Sequence, residues 1–186
     1  MRKNFGNKLV FAPLPVLVVA TYDENGTPNA MNAAWGGQCD YDKVELNLSS
    51  THKTTENIVR TRAFTISFAN KENLVASDYF GIVSGHKVDK INHAGMHTHK
   101  SDFVDAPVIE EYPLTLECRV DSIENVFGGT RVIGSVVNMQ ADESILTDGK
   151  IDLGKLQPIS FDPAANTYRV IGEEVGKAFS DGKALK

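Results

Sequence analysis

Seven residues from Ser49 to Thr55 read Ser-Ser-Thr-His-Lys-Thr-Thr, and the first carboxylate arrives only at Glu56. They follow an alternating stretch, "VELNLS", and open a segment to Arg62 that reads as a helix. The first turn of a helix exposes unpaired N–H groups and carries partial positive charge. One hydroxyl suffices as a cap, and Glu or Gln at N3 commonly completes it. If Ser50 or Thr51 caps this helix, N3 is Lys53 or Thr54. Such an end is hydroxyl-lined, cationic and open, which suits a phosphate. The alternative is an ordinary Ser/Thr-capped helix whose extra threonines face solvent.

A second stretch, "SGHKVDKINHAG", has the same character. It reads as a short helix opened by Ser84 and closed by Gly95, with Lys87 and Lys90 near its start and no acid at N3. The competing reading is an amphipathic surface helix with solvated lysines. No Walker A pattern and no Gly-x-Gly-x-x-Gly is present; "FGGTRVIG" is a glycine pair in a turn. "PNAMNAAWGG" supplies amides at Asn29 and Asn32, approachable backbone at Ala30, Ala33 and Ala34, and an aromatic wall at Trp35. These suit a flat heteroaromatic with donors and acceptors on one edge. The other account is a strand of small residues packed tightly, with Trp35 in the core.

"INHAGMHTH" places His93, His97 and His99 close in sequence. A His-x3-His pair on one helix binds zinc, but Gly95 interrupts this one, and no Glu adjoins either histidine as in His-Glu-x-x-His. We expect no metal here, and read Met96–Phe103 as a polar loop roofing the site's open face; a metal-dependent enzyme on this loop is the alternative.

The elements that must position these residues are mostly strands. Val16–Tyr22 and Asn29–Trp35 flank "DENGTP", whose Asn25-Gly26 is a hairpin signal. Val44–Ser49 alternates, and Ala63–Ala69 puts Phe64, Ile66 and Phe68 on one face. Asn70–Gly81 reads as a helix capped by Asn70. Leu114–Val120 and Thr130–Gln140 return to strand, Gly134 marking a bulge or close backbone approach. Short strands with turn signals and a helical insert predict an antiparallel barrel with excursions, in a single domain over residues 1–186.

Composition sets bounds. The 186 residues are 41% hydrophobic and 23% charged, with net charge −5, which argues for a folded protein without a nucleic-acid-binding face. Cys39 and Cys118 form no Cys-x-x-Cys motif and no disulfide framework, so a reducing cytoplasm is the simplest expected compartment. "LPVLVVATY" is too short to span a bilayer, and no membrane association is expected.

"DENGTPNAMNAAW", "STHKTTENI", "SGHKVDKINHAGM", "APVIEEYPLTLEC", "RVIGSVV" and "GEEVGKAFSDGK" occur in this order between about Pro13 and Lys183. Together they resemble the flavin reductase-like, FMN-binding split-barrel family, and its flavoredoxin branch in particular. The resemblance implies a mostly β (α+β) fold: a six-stranded antiparallel split barrel with short helical insertions, homodimeric, with one FMN per subunit. It implies that Asn29, Ala30, Met31, Asn32 and Trp35 lie along the flavin ring and ribityl chain. Ser49, Ser50, Lys53 and Thr54 would hold the phosphate, and Ser84, Lys87 and Lys90 would approach from the second helix. Arg131 stands where relatives often carry histidine, and Phe161 where they often carry an aromatic near the flavin. The implied activity is NAD(P)H-linked reduction of flavin or a small acceptor, with NADH or NADPH docking transiently and no catalytic side chain. The alternative is an electron-transfer flavoprotein fed by a protein partner.

Overall fold

A computed structural model describes residues 1–186. Its frame is one antiparallel sheet built from β1 (Leu17–Tyr22), β2 (Pro28–Ala33), β3 (Gly36–Asp40), β4 (Lys43–Leu48), then helix α1 (Lys53–Thr61) and β5 (Ala63–Phe68). After helices α2 (Leu74–Ile82) and α3 (Lys90–His93), the long hairpin β6 (Leu114–Val126) and β7 (Gly129–Ala141) completes it. The spatial order is β2-β1-β5-β6-β7-β4-β3. The two outermost strands, β2 and β3, are joined only by Ala34 and Trp35, so one bent run of chain carries the sheet round into a split barrel. Counted as one bent strand, β2–β3 gives six strands; counted by pairing, the sheet has seven. Gly36 permits the bend: a Cβ there would lie 2.7 Å from the Glu45 carbonyl oxygen.

The barrel interior follows the period-two pattern. Phe64 and Ile66 pack with Leu46, Leu48, Cys118, Val120 and Val132. Burial, then the charge of Glu117, pushes the Cys118 thiol up to about 12, so it serves as a small core residue. A second core forms outside β1 and β2, where Val18, Ala20 and Ala30 meet Phe80 and Ile91 of the helical insert. The Asn25-Gly26 turn forms as expected, with Gly26 at φ 78° and Asp23 Oδ1 accepting from the Asn25 and Thr27 N–H groups.

Gly134 is the bulge site: the β6–β7 register shifts between Ile133 and Gly134. A Cβ there would lie 2.8 Å from Phe64 Cζ and 3.1 Å from the Arg119 carbonyl oxygen. Gly134→Ala is therefore expected to destabilise the fold by about 1–3 kcal/mol, at about 2–4 °C of Tm per kcal/mol. An unchanged melting temperature would show that the β7 backbone yields freely.

Several expectations change, and the strand expected to end at Val120 runs on to Val126. β3 is an added strand, invisible as "GGQCD" because it lacks alternation. Helix α2 begins after Asn73, and Asn70 Oδ1 instead accepts from the Asn73 N–H. Ser84–Lys87 is a turn, and α3 starts only at Lys90, its end capped by Asp89, whose carboxylate accepts from the Asn92 N–H. The acid-free start expected at Ser84 is thus corrected: the helix has an acid at its N-cap. Gly95 closes α3 at φ 67°, as expected.

Candidate functional site

A cavity of about 210 Å³ lies where β2, the start of α1 and the segment from Phe80 to Lys90 converge. Asn29, Met31 and Asn32 line it from β2, Thr51 to Thr54 from α1, and Ser84, Gly85 and Lys90 from the insert. The N-cap of α1 is His52, in extended conformation and without a side-chain capping bond, so neither Ser50 nor Thr51 caps. The spare hydroxyls are otherwise engaged. Ser49 and Thr51 share a hydrogen bond at 3.0 Å, and Thr55 Oγ1 donates to the Ser49 carbonyl. Thr54 Oγ1, buried, accepts from Asn29 Nδ2 at 2.8 Å and ties α1 to β2.

The cavity holds two lysines in opposite electrostatic states. Lys53 Nζ is 2.8 Å from Asp23 Oδ2. Burial alone would raise the Asp23 carboxyl, but hydrogen bonds from Lys53, Thr27 and Asn25 outweigh it and hold the group below its ordinary range. Lys90 has no such partner. It is 3% exposed, and its Nζ donates to the Phe80 carbonyl at 3.1 Å. Burial pushes its ammonium down to about 8. Burial, then the charges of Lys90 and His86, holds His52 below the ordinary histidine range. An uncapped helix end beside an unneutralised buried cation favours a bound anion.

The remaining expected residues separate. Ala30 turns its methyl into the outer core, so it contributes no side chain to the cavity. Asn32 is held by Nδ2 donating to the Ser77 carbonyl at 3.1 Å. Lys87 lines a neighbouring depression with Asn29, Lys53 and Gly85. Ser50 is exposed, while Ser49 and Trp35 line a different cavity beside the β6–β7 hairpin. Trp35 is 70% exposed, so it is no core residue. Arg131 lines neither cavity: Glu45 at 2.7 Å and Glu124 at 3.7 Å neutralise it on the sheet surface. Phe161 packs 6.0 Å from Tyr168 against the outer core and also stands apart. Gly85, His52 and Phe80 join the cavity wall beyond the residues expected from sequence. The glycine inside "SGHK" was the available signal; the other two gave none.

The histidines part company. His93 stacks on Tyr79 at 5.2 Å, His97 Nδ1 lies 2.7 Å from Glu111, and His99 lies 3.5 Å from Glu110. Both carboxylates come from the turn that follows Pro107–Ile109, where linear spacing cannot show them. Met96–Phe103, expected as a roof, does not line this cavity. Thr98–Lys100 pairs with Pro107–Ile109, and Met96 is in the outer core.

Comparison with known proteins agrees with this architecture. Flavoredoxin of Desulfovibrio vulgaris (Miyazaki F) superposes with a TM-score of 0.93 at 34% identity, covering 98% of this chain and 100% of that one. Flavoredoxin from Methanosarcina acetivorans gives 0.92 at 26% identity, with 100% of both chains covered. An uncharacterised protein of Halalkalibacterium halodurans is 24% identical over 178 residues, 89% of this chain and 81% of that one. Residues 10–155 match the flavin reductase like domain, and the chain belongs to that family.

Proposed function

We propose that the chain binds FMN, with the phosphate between the N-terminus of α1 and Lys90, and acts as a flavin-dependent oxidoreductase with NADH or NADPH as donor. The observation that carries this reading is Lys90: a buried ammonium with no carboxylate partner, beside an uncapped helix end. Fit is supported by Gly85, where a Cβ would come within 2.1 Å of Asn29 Oδ1. The backbone there approaches as closely as a cradle requires. At about 210 Å³ the cavity suits a phosphate and part of a polyol, with the ring extending along β2.

When bound, the flavin supplies the redox chemistry, accepting and passing on electrons through its ring. The chain's own residues bind and orient. Lys90 and the α1 N–H groups neutralise the phosphate. Thr54 and Asn29 form a fixed hydrogen-bonded pair at the cavity wall. Asn32, pinned by Ser77, keeps its carbonyl oxygen available as an acceptor. No acid or base in the cavity is called on to transfer a proton.

Heat-released ligand identified by mass spectrometry is expected to be FMN; FAD as the dominant species would refute the phosphate placement. Thr54 Oγ1 accepts from Asn29, which leaves its proton for the phosphate, so Thr54→Ala is expected to weaken FMN by about 10- to 150-fold and riboflavin far less. Equal losses would assign Thr54 to the ring or to folding.

A second reading, an electron carrier fed by a protein partner, is favoured by the likeness to two flavoredoxins over the whole chain. Anaerobic mixing with NADH or NADPH separates them. Bleaching of the flavin band supports the nicotinamide-linked reductase; bleaching by dithionite alone supports the carrier. We also propose a homodimer: Phe5, Phe11, Val175 and Phe179 on the terminal arms are exposed and find no cover within the chain. Sedimentation at micromolar concentration tests this, a monomer refuting it.

A further inference from the structure

Asn32 stands on the outer face of β2, the side of Ala30, and is turned towards α2. Gly81 leaves room for it: a Cβ there would lie 3.2 Å from Asn32 Cβ. Its amide has one sensible orientation. Nδ2 donates to the Ser77 carbonyl at 3.1 Å, and the reverse orientation would set Oδ1 against that carbonyl, acceptor against acceptor. No donor of the chain reaches Oδ1, and the atom is not sealed from solvent. Since Asn32 lines the cavity, its acceptor is open to a ligand's N–H or O–H.

A second support for this amide comes from the far end of the chain. Ile159–Asp162 and Thr167–Val170 form an antiparallel hairpin beyond residues 10–155, the span that matches the family's domain. Phe161 and Tyr168 seat it on the outer core. The Tyr168 hydroxyl then donates to Asp78 Oδ1 at 2.7 Å, and Asp78 follows Ser77 on α2. With its proton directed at Asp78, the Tyr168 oxygen is left to accept. Burial, then the hydrogen bond and charge of Asp78, push this hydroxyl up to about 12, and a hydrogen bond from the Asn32 amide pulls the other way. Both amide hydrogens are thus drawn away from the cavity. We infer that Tyr168, braced by Asp78, is a positioning residue: it holds the Asn32 amide so that Oδ1 faces the cavity and accepts from the imide N–H of a flavin ring. The oxidised ring carries no other N–H, so this acceptor selects the imide edge. The inference rests on the proposed flavin function and adds to it a residue that does not itself line the cavity.

Flavin-free protein titrated with FMN, and with FMN methylated at the imide nitrogen, tests this by flavin fluorescence. The parent is expected to prefer FMN by about tenfold, the worth of one hydrogen bond whose acceptor is otherwise left unpaired. Tyr168→Phe keeps the ring and its packing, and Asp78→Ala keeps the tyrosine; each is expected to cut the preference to about twofold or less. Tyr112→Phe is the control. It removes a hydroxyl from the same core, one bonded to Ser77 Oγ at 2.8 Å, and that hydroxyl bonds neither Asn32 nor Asp78. Its preference is expected to match the parent's even if its melting temperature falls. A merely structural role for Tyr168 would weaken both flavins alike and leave their ratio unmoved. An unchanged ratio in Tyr168→Phe, a ratio lost equally in Tyr112→Phe, or equal affinity of the parent for both flavins overturns the assignment and leaves FMN binding standing. A parent that binds neither flavin refutes the proposed function, and this inference with it.

Discussion

Lys90→Met is expected to weaken FMN binding by about 10- to 150-fold while riboflavin binding changes little. The side chain is buried, and its only hydrogen bond is to the Phe80 carbonyl, which is no counter-charge. A phosphate placed opposite it would supply the missing charge. In the flavin-free protein the same substitution is expected to stabilise. Folding lowers the ammonium from its ordinary 10.5 to about 8, which at about 1.4 kcal/mol per unit corresponds to a penalty on the order of 3 kcal/mol. That penalty is fully present below pH 8 and disappears as pH rises from 8 to 10.5, so parent stability rises across that window. The advantage of Lys90→Met over the parent, largest near neutrality, should shrink across the same window in urea melts.

The same group gives FMN binding an upper pH limit. Above about pH 8 the free protein loses the Lys90 proton, and binding must then recapture it. Affinity should fall by up to tenfold per pH unit until the raised pKa of the complex is reached. Phosphate itself protonates near pH 6, which sets the lower edge. Flavin fluorescence titrations across the range test both edges. A profile flat above pH 8, or one that Lys90→Met leaves unchanged, would remove Lys90 from the phosphate.

What the sequence made legible was local. Period-two runs such as Phe64–Phe68 announced themselves because each side chain's face is fixed by its own backbone. Asn25-Gly26 did so because only certain residues accept that turn's dihedrals. Gly134 was readable because a strand glycine seldom lacks a reason, here Phe64. β3 was not readable: "GGQCD" has no pattern of its own, and it becomes a strand because β4 offers an unpaired edge beside it. Nor was the start of α3, since Asp89 lay too far along "SGHKVDK" to be taken as the cap.

The site divides the same way. The lysines were visible as residue types, but their different states were not. Lys53 is neutralised by Asp23 of the β1–β2 turn, whereas Lys90 is sealed under the Phe80 carbonyl. Both relations are tertiary. Arg131 illustrates the limit in reverse. It stands at a position that suggests a ligand contact, yet cross-strand pairing brings Glu45 and Glu124 to its guanidinium.

Gly85→Ala is expected to abolish measurable binding of both FMN and riboflavin at micromolar concentration, in contrast to the selective loss expected from Lys90→Met. Its added Cβ would lie 2.1 Å from Asn29 Oδ1, 3.1 Å from Asn29 Cγ and 3.5 Å from Lys53 Cδ. Neither neighbour retreats cheaply. Asn29 is 5% exposed and donates to Thr54, and Lys53 is tied to Asp23. The least costly relief swings Asn29 away from Thr54, which loses the hydrogen bond and drives the amide into the space the polyol needs. Gly85 has no positive φ to defend and sits in the exposed Ser84–Lys87 turn, so the fold should survive with a loss of about 1–3 kcal/mol. Circular dichroism and a urea melt check the fold, and flavin titration reads the loss. A folded Gly85→Ala variant that still binds both flavins like the parent would show that the cavity between β2 and the insert is not where the flavin lies.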